Sequence, residues 1–187
     1  MTYKTIIFDF FGVICSEIAP FWLARYLSPA EAVRVKSTIV QAADRGALSQ
    51  EELFSALAEI TQVPPSQIEQ EWLSYVVIDD GVVNLIRKLS PKYRIGLLTN
   101  APAPFVRGIL ERHRLNSLFE SIVVSSENGC AKPDRMIYDL MLSSLSASAS
   151  EALMIDDNPE NISGAIAAGI GGLLFQSAGQ LEAELAK

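Results

Sequence analysis

Cysteine and histidine are scarce in this chain of 187 residues, which contains only Cys15, Cys130 and His113 of these types. Two cysteines without further cysteine or histidine partners predict neither a disulfide framework nor a zinc site. Positive charge is also in short supply, because 15 lysines and arginines face 22 acids and leave a formal net charge of −7. So acidic a chain argues against nucleic acid and anionic membranes as partners.

Long apolar runs are missing as well. No run approaches the ~20 residues that span a bilayer, and the sequence does not open with the charged and apolar regions of a signal peptide. We therefore expect no membrane segment and a reducing, cytoplasmic setting. Apolar residues make up 49% and charged residues 20%, a composition typical of a globular chain. The length fits one large domain, or a core domain with an insert.

The first apolar run of the sequence ends at a carboxylate. Residues 5–8 are followed by Asp9, and Gly12 comes shortly afterwards. Such a run is typical of a strand buried on both faces in a parallel sheet, and ligands bind at the carboxyl ends of such strands. A charge at that place is costly unless it has a function or a partner. A turn-forming Asp before Gly is the plainer interpretation of the same pattern.

The segment after this strand is helical in pattern. Residues 16–75 show helical periodicity without any strand-like run. Helix starts are visible at Ser28-Pro29, Ser49 and Pro64-Pro65, with the capping and proline signals of helix N-termini. The first of these helices should run to about Ala43. We predict a small helical cap over residues 16–79, inserted into a core domain formed by residues 1–15 and 80–187.

Helix and strand patterns alternate from Asp80 onward. Strands are predicted at residues 93–98, 121–125, 152–155 and 172–175. Such alternation predicts an α/β fold with a Rossmann-like parallel sheet and helices on both faces. Residues 181–187 should form a short polar helix or a frayed end.

Polar side chains follow four of the predicted strands. They are Asp9, the pair Thr99 and Asn100, Lys132, and the pair Asp156 and Asp157. Because the carboxyl ends of parallel strands share one edge, these groups should converge on one crevice. Carboxylates can hold Mg²⁺, a hydroxyl and an ammonium can bind phosphoryl oxygens, and Asp9 could attack phosphorus to form an aspartyl-phosphate. Taken singly, Lys132 could be a solvated loop residue and the acidic pair a helix cap.

These groups give the sequence a resemblance to the haloacid dehalogenase superfamily. The family's four motifs find matches in order: Asp9-Phe10-Phe11-Gly12-Val13, Leu97-Leu98-Thr99-Asn100, Lys132-Pro133-Asp134 and Ile155-Asp156-Asp157-Asn158. The break at Asp44-Arg45-Gly46 resembles that of the subgroup with a small helical cap after the first motif. The resemblance implies a hydrolase, with a Mg²⁺-dependent phosphatase of small phosphorylated metabolites as the favoured activity.

The resemblance also implies a role for each matching residue. Asp9 would be the nucleophile, while Thr99 and Lys132 would bind the transferring phosphoryl group. The metal ligands would be Asp9, the backbone carbonyl of Phe11, Asp156 and Asp157. Further candidate substrate contacts are Asn100, Phe11 and Gly12, and Asn161 is a polar candidate downstream of the fourth motif.

Position 11 departs from the family pattern. Phosphatases of the family usually carry there a second Asp, which protonates the leaving group and activates water, whereas Phe11 can do neither. Two alternatives therefore stay open. The chain could be a metal-independent dehalogenase of 2-haloacids, although such enzymes usually lose the acidic pair kept here as Asp156 and Asp157. It could also be an impaired member that binds a phosphorylated ligand or a protein.

From the sequence alone, Phe11→Asp should raise the hydrolysis of alkyl phosphates by ~10-fold or more, because general acid–base catalysis is what the site lacks. The unmodified protein should cleave p-nitrophenyl phosphate much better than an alkyl phosphate, since a good leaving group needs little protonation. Steady-state kinetics of both variants on both esters measures this. An unchanged rate in Phe11→Asp would mean that another residue supplies the acid and base.

Overall fold

A computed structural model describes residues 3–185. Five strands form one sheet: β1 (Thr5–Phe8), β2 (Arg94–Thr99), β3 (Ser121–Val124), β4 (Ala152–Asp156) and β5 (Gly171–Leu174). Every pairing is parallel, and the strand order is β3-β2-β1-β4-β5. The predicted parallel α/β sheet is confirmed, with strand ends shifted by a residue or so. The chain moves outward from β1 through β2 to β3 and then crosses to the other side at β4, so the order reverses between β1 and β4.

Helices connect the strands. Those before β2 are α1 (Ala19–Tyr26), α2 (Pro29–Val35), α3 (Gln41–Asp44), α4 (Gln50–Thr61), α5 (Pro65–Ser74) and α6 (Asp80–Leu89). Those after it are α7 (Ala103–Arg112), α8 (Arg135–Ser144), α9 (Pro159–Ala167) and α10 (Ala178–Leu185). Within residues 3–185 no helix is both long and apolar enough to cross a bilayer. The predicted tail corresponds to α10, and its last two residues, like Met1 and Thr2, lie outside the described residues.

Successive side chains of β1 point to opposite faces of the sheet, as the strand geometry requires. Ile6 and Phe8 belong to a core that also contains apolar residues of α6, α7 and α10. Ile7 belongs to a second core, formed with apolar residues of α8 and α9. All three side chains are fully buried, which explains why the sequence of β1 is a continuous apolar run. The expected helices on both faces are therefore present.

The predicted helix from Ser28 to Ala43 is interrupted. The predicted N-cap at Ser28 is present and forms a capping box with Glu31. Residues Lys36–Val40, however, form a π-helical turn between α2 and α3. The hydroxyl groups of Ser37 and Thr38 both donate to the Arg34 carbonyl, over 3.1 and 2.7 Å. Such side-chain bonds compete with the backbone ladder and bend helices, and the sequence pattern did not reveal their effect.

The segment from α1 to α5 packs on the core through aromatic rings. Trp72 of α5 lies edge-on to Phe54 of α4, with centroids 5.3 Å apart, and to Phe105 of α7, 5.6 Å away. The chain enters and leaves this segment at neighbouring points, since Ser16 N donates to the Val77 carbonyl over 2.9 Å. The assignment of residues 16–79 as a separate cap stays a prediction.

Ile7→Ala should destabilise the protein by about 2–5 kcal/mol, because it opens a cavity between the sheet and its helices. The matched control is Ile166→Ala in α9, where the isoleucine is 58% exposed and the expected change is within about 0.5 kcal/mol. Urea unfolding followed by circular dichroism measures both. Equal losses in the two variants would contradict this assignment of the core.

Candidate active site

The carboxyl ends of β1, β2 and β4 bring the predicted polar groups together. Lys132, from the loop between β3 and α8, places its Nζ 2.8 Å from Asp9 Oδ1 and 2.6 Å from Asp156 Oδ2. Asp9, Asp156 and Asp157 each offer an oxygen, and these oxygens lie within 4.8 Å of one another. The cluster lies beside the point where the strand order reverses, which is where ligands bind in sheets of this kind.

Asn100 holds the backbone of Lys132 in place. Its Nδ2 donates to the Lys132 carbonyl, and its Oδ1 accepts from the Lys132 N–H, both over 2.9 Å. The two polar atoms of the amide are thus engaged by the loop that carries the lysine. This contact gives Asn100 a positioning role, while its predicted contact with substrate stays a prediction.

Asp156 is fully buried and its carboxylate is well supplied with donors. Besides Lys132, Asn161 Nδ2 donates to it over 3.0 Å and Asn158 N over 2.9 Å. Tyr138, whose hydroxyl donates to the Asn161 carbonyl over 2.6 Å, fixes that asparagine in turn. The side-chain cap of α9 is Asn158, so capping does not account for Asp156.

The Asp157 carboxylate occupies the space that a side chain at Gly12 would need. A Cβ at Gly12 would lie 2.4 Å from Asp157 Oδ2, and Gly12 has a φ of +82°. Glycine is the residue that adopts this conformation readily, and here it also leaves room for the carboxylate. Phe11, just before it, turns its ring towards Phe105, with centroids 6.4 Å apart and nearly parallel planes.

The electrostatics of the cluster favour a cation. Burial, together with the charge of Asp156, raises the pKa of Asp9 well above its usual range, although Lys132 opposes the shift. Burial lowers the pKa of Lys132, but the attraction of Asp9 and Asp156 outweighs it and the net shift is upward. Burial and the Asp156 charge also raise the pKa of Asp157. One ammonium cannot balance three carboxylates, and this set of hard oxygen donors suits a divalent cation such as Mg²⁺.

Thr99 contributes a hydroxyl that is buried at the end of β2. Its Oγ1 has no hydrogen-bond partner within residues 3–185. A buried hydroxyl in this state costs about 1–3 kcal/mol, so it is suited to donate to an oxygen of a ligand. Thr99 thus lies at the end of β2 next to β1, as the sequence predicted, but it is not among the residues that line the cavity, and its contact with a phosphoryl oxygen stays a prediction.

A cavity of about 160 Å³ opens over the cluster. The predicted residues on its wall are Asp9, Phe11, Asn100, Lys132, Asp157 and Asn161. The helical segment supplies the other wall, and its polar residues there are Glu17, Lys36 and Asp44. Sequence reasoning missed these three as site residues. Asp44 belongs to the break at Asp44-Arg45-Gly46, but no motif or spacing connects it to the strand ends.

Comparisons with known proteins agree with this geometry. Residues 3–169 match a family described as haloacid dehalogenase-like hydrolase. A sesquiterpene phosphatase of Aspergillus oryzae is 27% identical over 92% of this chain and 89% of its own length. A D-ribitol-5-phosphate phosphatase of Bacteroides thetaiotaomicron is 27% identical, with 85% of each chain covered.

Solved structures of low identity share the fold. A HAD family enzyme of Bacteroides thetaiotaomicron, crystallised with magnesium and inorganic phosphate, superposes with a TM-score of 0.82. The two sequences are 23% identical, and the superposition covers 99% of this chain and 100% of the other.

Lys132→Met should destabilise the protein by about 3–5 kcal/mol, because it leaves buried carboxylates without their cation. The loss should shrink as the pH falls. The folded-state pKa of Asp9 already lies above its ordinary value and would rise further without the lysine, so protonation at falling pH relieves the folded state more than the unfolded one.

Urea unfolding in EDTA at several pH values measures both effects. The matched control is Lys88→Met, which removes a surface pair with Glu182 in which the lysine side chain is 68% exposed and which should be worth less than about 1 kcal/mol. A Lys132→Met loss as small as the control's, or one that grows at lower pH, would contradict the role given to this ammonium.

Proposed function

The chain belongs to the haloacid dehalogenase-like hydrolases, and we propose that it is a Mg²⁺-dependent phosphatase that hydrolyses small phosphorylated metabolites through an aspartyl-phosphate on Asp9. The observation that carries the proposal is the buried Lys132 ammonium, 2.8 Å from Asp9, within a group of three carboxylates. The group pairs a candidate nucleophile with a cation that can bind phosphoryl oxygens. Two relatives with phosphatase names support the reaction class.

Asp9, Asp157 and the backbone carbonyl of Phe11 would hold Mg²⁺. Bound there, the ion would neutralise negative charge on the phosphoryl group and on the site. Asp156 was predicted as a further ligand, and it keeps an oxygen within 4.8 Å of the other two carboxylates. Since three donors already engage Asp156, we propose that it acts mainly by holding Lys132.

In this proposal Asp9 is the nucleophile, and Lys132 and Thr99 bind the phosphoryl group. A carboxylate oxygen of Asp9 attacks phosphorus, and the bond from phosphorus to the ester oxygen breaks as the alcohol leaves. Lys132 and Thr99 bind the phosphoryl oxygens and stabilise the charge that develops on them. Water then attacks the aspartyl-phosphate, releasing orthophosphate and restoring the Asp9 carboxylate.

The cavity favours a small leaving group. Its volume of about 160 Å³ is close to that of engineered cavities of about 150 Å³ that hold benzene. Phe11, Phe105 and Trp72 provide apolar wall, while Glu17 and Lys36 provide charge. We also propose a cytoplasmic location, which the free thiols of Cys15 and Cys130 support.

A 2-haloacid dehalogenase is the second candidate, because Phe11 replaces the acid/base residue of the phosphatases. In that reaction Asp9 would attack carbon and expel halide. The retained acidic pair, Asp156 and Asp157, weighs against it. Halide release from 2-chloropropionate that survives EDTA would favour the dehalogenase over the phosphatase.

A panel of small phosphate esters with Mg²⁺ should reveal turnover, measured as released orthophosphate. Asp9→Asn should abolish it, since the amide cannot form the aspartyl-phosphate, and EDTA should remove most of it. The matched control is Asp139→Asn on the exposed face of α8, where the carboxylate pairs with Arg135; its rate should equal that of the unmodified protein. If no ester is turned over faster than by Asp9→Asn, the chain is not a phosphatase, which would leave the impaired binder as the remaining alternative unless halide is released.

A further inference from the structure

We propose that Asp44 is the general acid and base of this site and takes the place of the carboxylate that is missing at position 11. The inference rests on the proposed phosphatase function. It follows from the composition of the cavity wall, because Asp9, Asp157, Glu17 and Asp44 are the carboxylates among its lining residues. Asp9 is occupied as nucleophile and Asp157 by the metal, so the proton must come from the side of the helical segment.

Three contacts anchor residues 44–46 to the chain that follows β3. The Ser125 hydroxyl, at the end of β3, donates to the Asp44 carbonyl. The neighbouring Arg45 pairs with Asp134, which stands two positions after Lys132. A Cβ at Gly46 would lie 2.4 Å from the Ser126 carbonyl, so the backbones touch here. Asp44 is thereby fixed relative to the loop that carries the phosphate-binding lysine.

The Asp44 carboxyl itself is left available by these contacts. Its oxygens accept no hydrogen bond from the part of the chain that the structure describes, because only its backbone carbonyl is engaged. The other polar residues of this wall are less suitable. Lys36 is largely exposed, and Glu17 lies within the electrostatic range of Asp157, the proposed metal ligand.

The surroundings of Asp44 keep both of its protonation states accessible. Burial raises the pKa of Asp44 to about 7, and the charge of Glu17 contributes to this rise. The charges of Lys36, in the π-helical turn, and of Lys132 oppose it. The short turn at Ser125–Glu127, which packs against α3, adds Glu127, but this acid is paired with Arg107. A catalytic acid and base is most effective when its pKa lies near the working pH.

The proton would move twice. As Asp9 attacks and the ester P–O bond breaks, the protonated Asp44 donates its proton to the departing oxygen, so the leaving group is a neutral alcohol. The resulting carboxylate then accepts a proton from the water that attacks the aspartyl-phosphate. Orthophosphate is released, the Asp9 carboxylate is restored, and Asp44 is protonated again. No further reactant is required.

Asp44→Asn tests this step with little change in shape, because the amide has the same size and the backbone carbonyl that accepts from Ser125 remains. Its kcat/KM for an alkyl phosphate should fall by ~10²-fold or more, while that for p-nitrophenyl phosphate should fall far less. The alkyl phosphatase activity of the unmodified protein should fall as the pH rises through about 7, because Asp44 loses its proton there. This fall is the pH limb of the profile, and the residual activity of Asp44→Asn should lack it. Rapid quench with labelled p-nitrophenyl phosphate, which needs no acid to form the aspartyl-phosphate, should show a burst of this intermediate followed by slow hydrolysis in Asp44→Asn.

A double variant separates catalysis from structure. With Asp44 in place, Phe11→Asp alone should change alkyl activity little, so the ~10-fold gain expected from the sequence should not appear. Phe11→Asp combined with Asp44→Asn should regain alkyl phosphatase activity, because it returns a carboxyl to the other side of the same cavity. A merely structural role of Asp44 would not permit this rescue. Urea unfolding of each variant verifies that it is folded. Glu17→Gln, examined in parallel, should keep the pH limb near 7.

Several results would overturn the inference. Asp44→Asn could retain alkyl activity within about threefold of the parent, a change too small for a lost general acid. Glu17→Gln could remove the pH limb instead, or Phe11→Asp alone could raise alkyl activity ~10-fold while Asp44→Asn changes nothing. If the unmodified protein turns over no ester above Asp9→Asn, the proposed function fails and this inference falls with it; activity with an unaffected Asp44→Asn refutes the inference alone.

Discussion

A buried ammonium between two carboxylates is the interaction on which the site depends. Lys132 reaches Asp9 and Asp156 over 2.8 and 2.6 Å, and it does so from a loop outside the strands that carry them. Removing three charges from water is costly. The two carboxylates accept further hydrogen bonds, Asp9 from Phe10 N and Asp156 from Asn158 N and Asn161 Nδ2, which offset part of this cost. Asn100 holds the loop, Asn161 holds Asp156, and the strands set the spacing.

Much of this arrangement could be predicted from the sequence. A strand buried on both faces must be a short apolar run, and such runs end visibly at Asp9, Thr99 and Asp156. Parallel pairing then brings their carboxyl ends to one edge without any knowledge of side-chain contacts. The two serine capping boxes at Ser28 and Ser49 are local signals too, and both are present in the structure.

The opposite wall of the cavity could not be predicted, because it depends on how the helical segment docks. Glu17, Lys36 and Asp44 reach the cavity from three different positions before α4, and no periodic pattern connects them. The π-helical turn at Lys36–Val40, beside which the Ser37 and Thr38 hydroxyls bond to the Arg34 carbonyl, adds a further shift of register. Asn100 is an intermediate case, since its place at a strand end was visible but its bonds to the Lys132 backbone were not.

The neighbouring entry and exit of the helical segment also affect how the chain folds. β1 pairs with β2 in a register that places Thr5 beside Arg94, so the central pairing of the sheet closes a long loop. Loop closure opposes folding through lost chain entropy, which grows with the number of free residues. The hydrogen bond from Ser16 N to the Val77 carbonyl brings the two ends of the segment from α1 to α5 together. Once this segment has formed, only residues 9–15 and 78–93 remain to be ordered when β1 pairs with β2. A helical segment that forms early therefore shortens the loop that the pairing of β1 with β2 has to close and favours rapid assembly of the sheet.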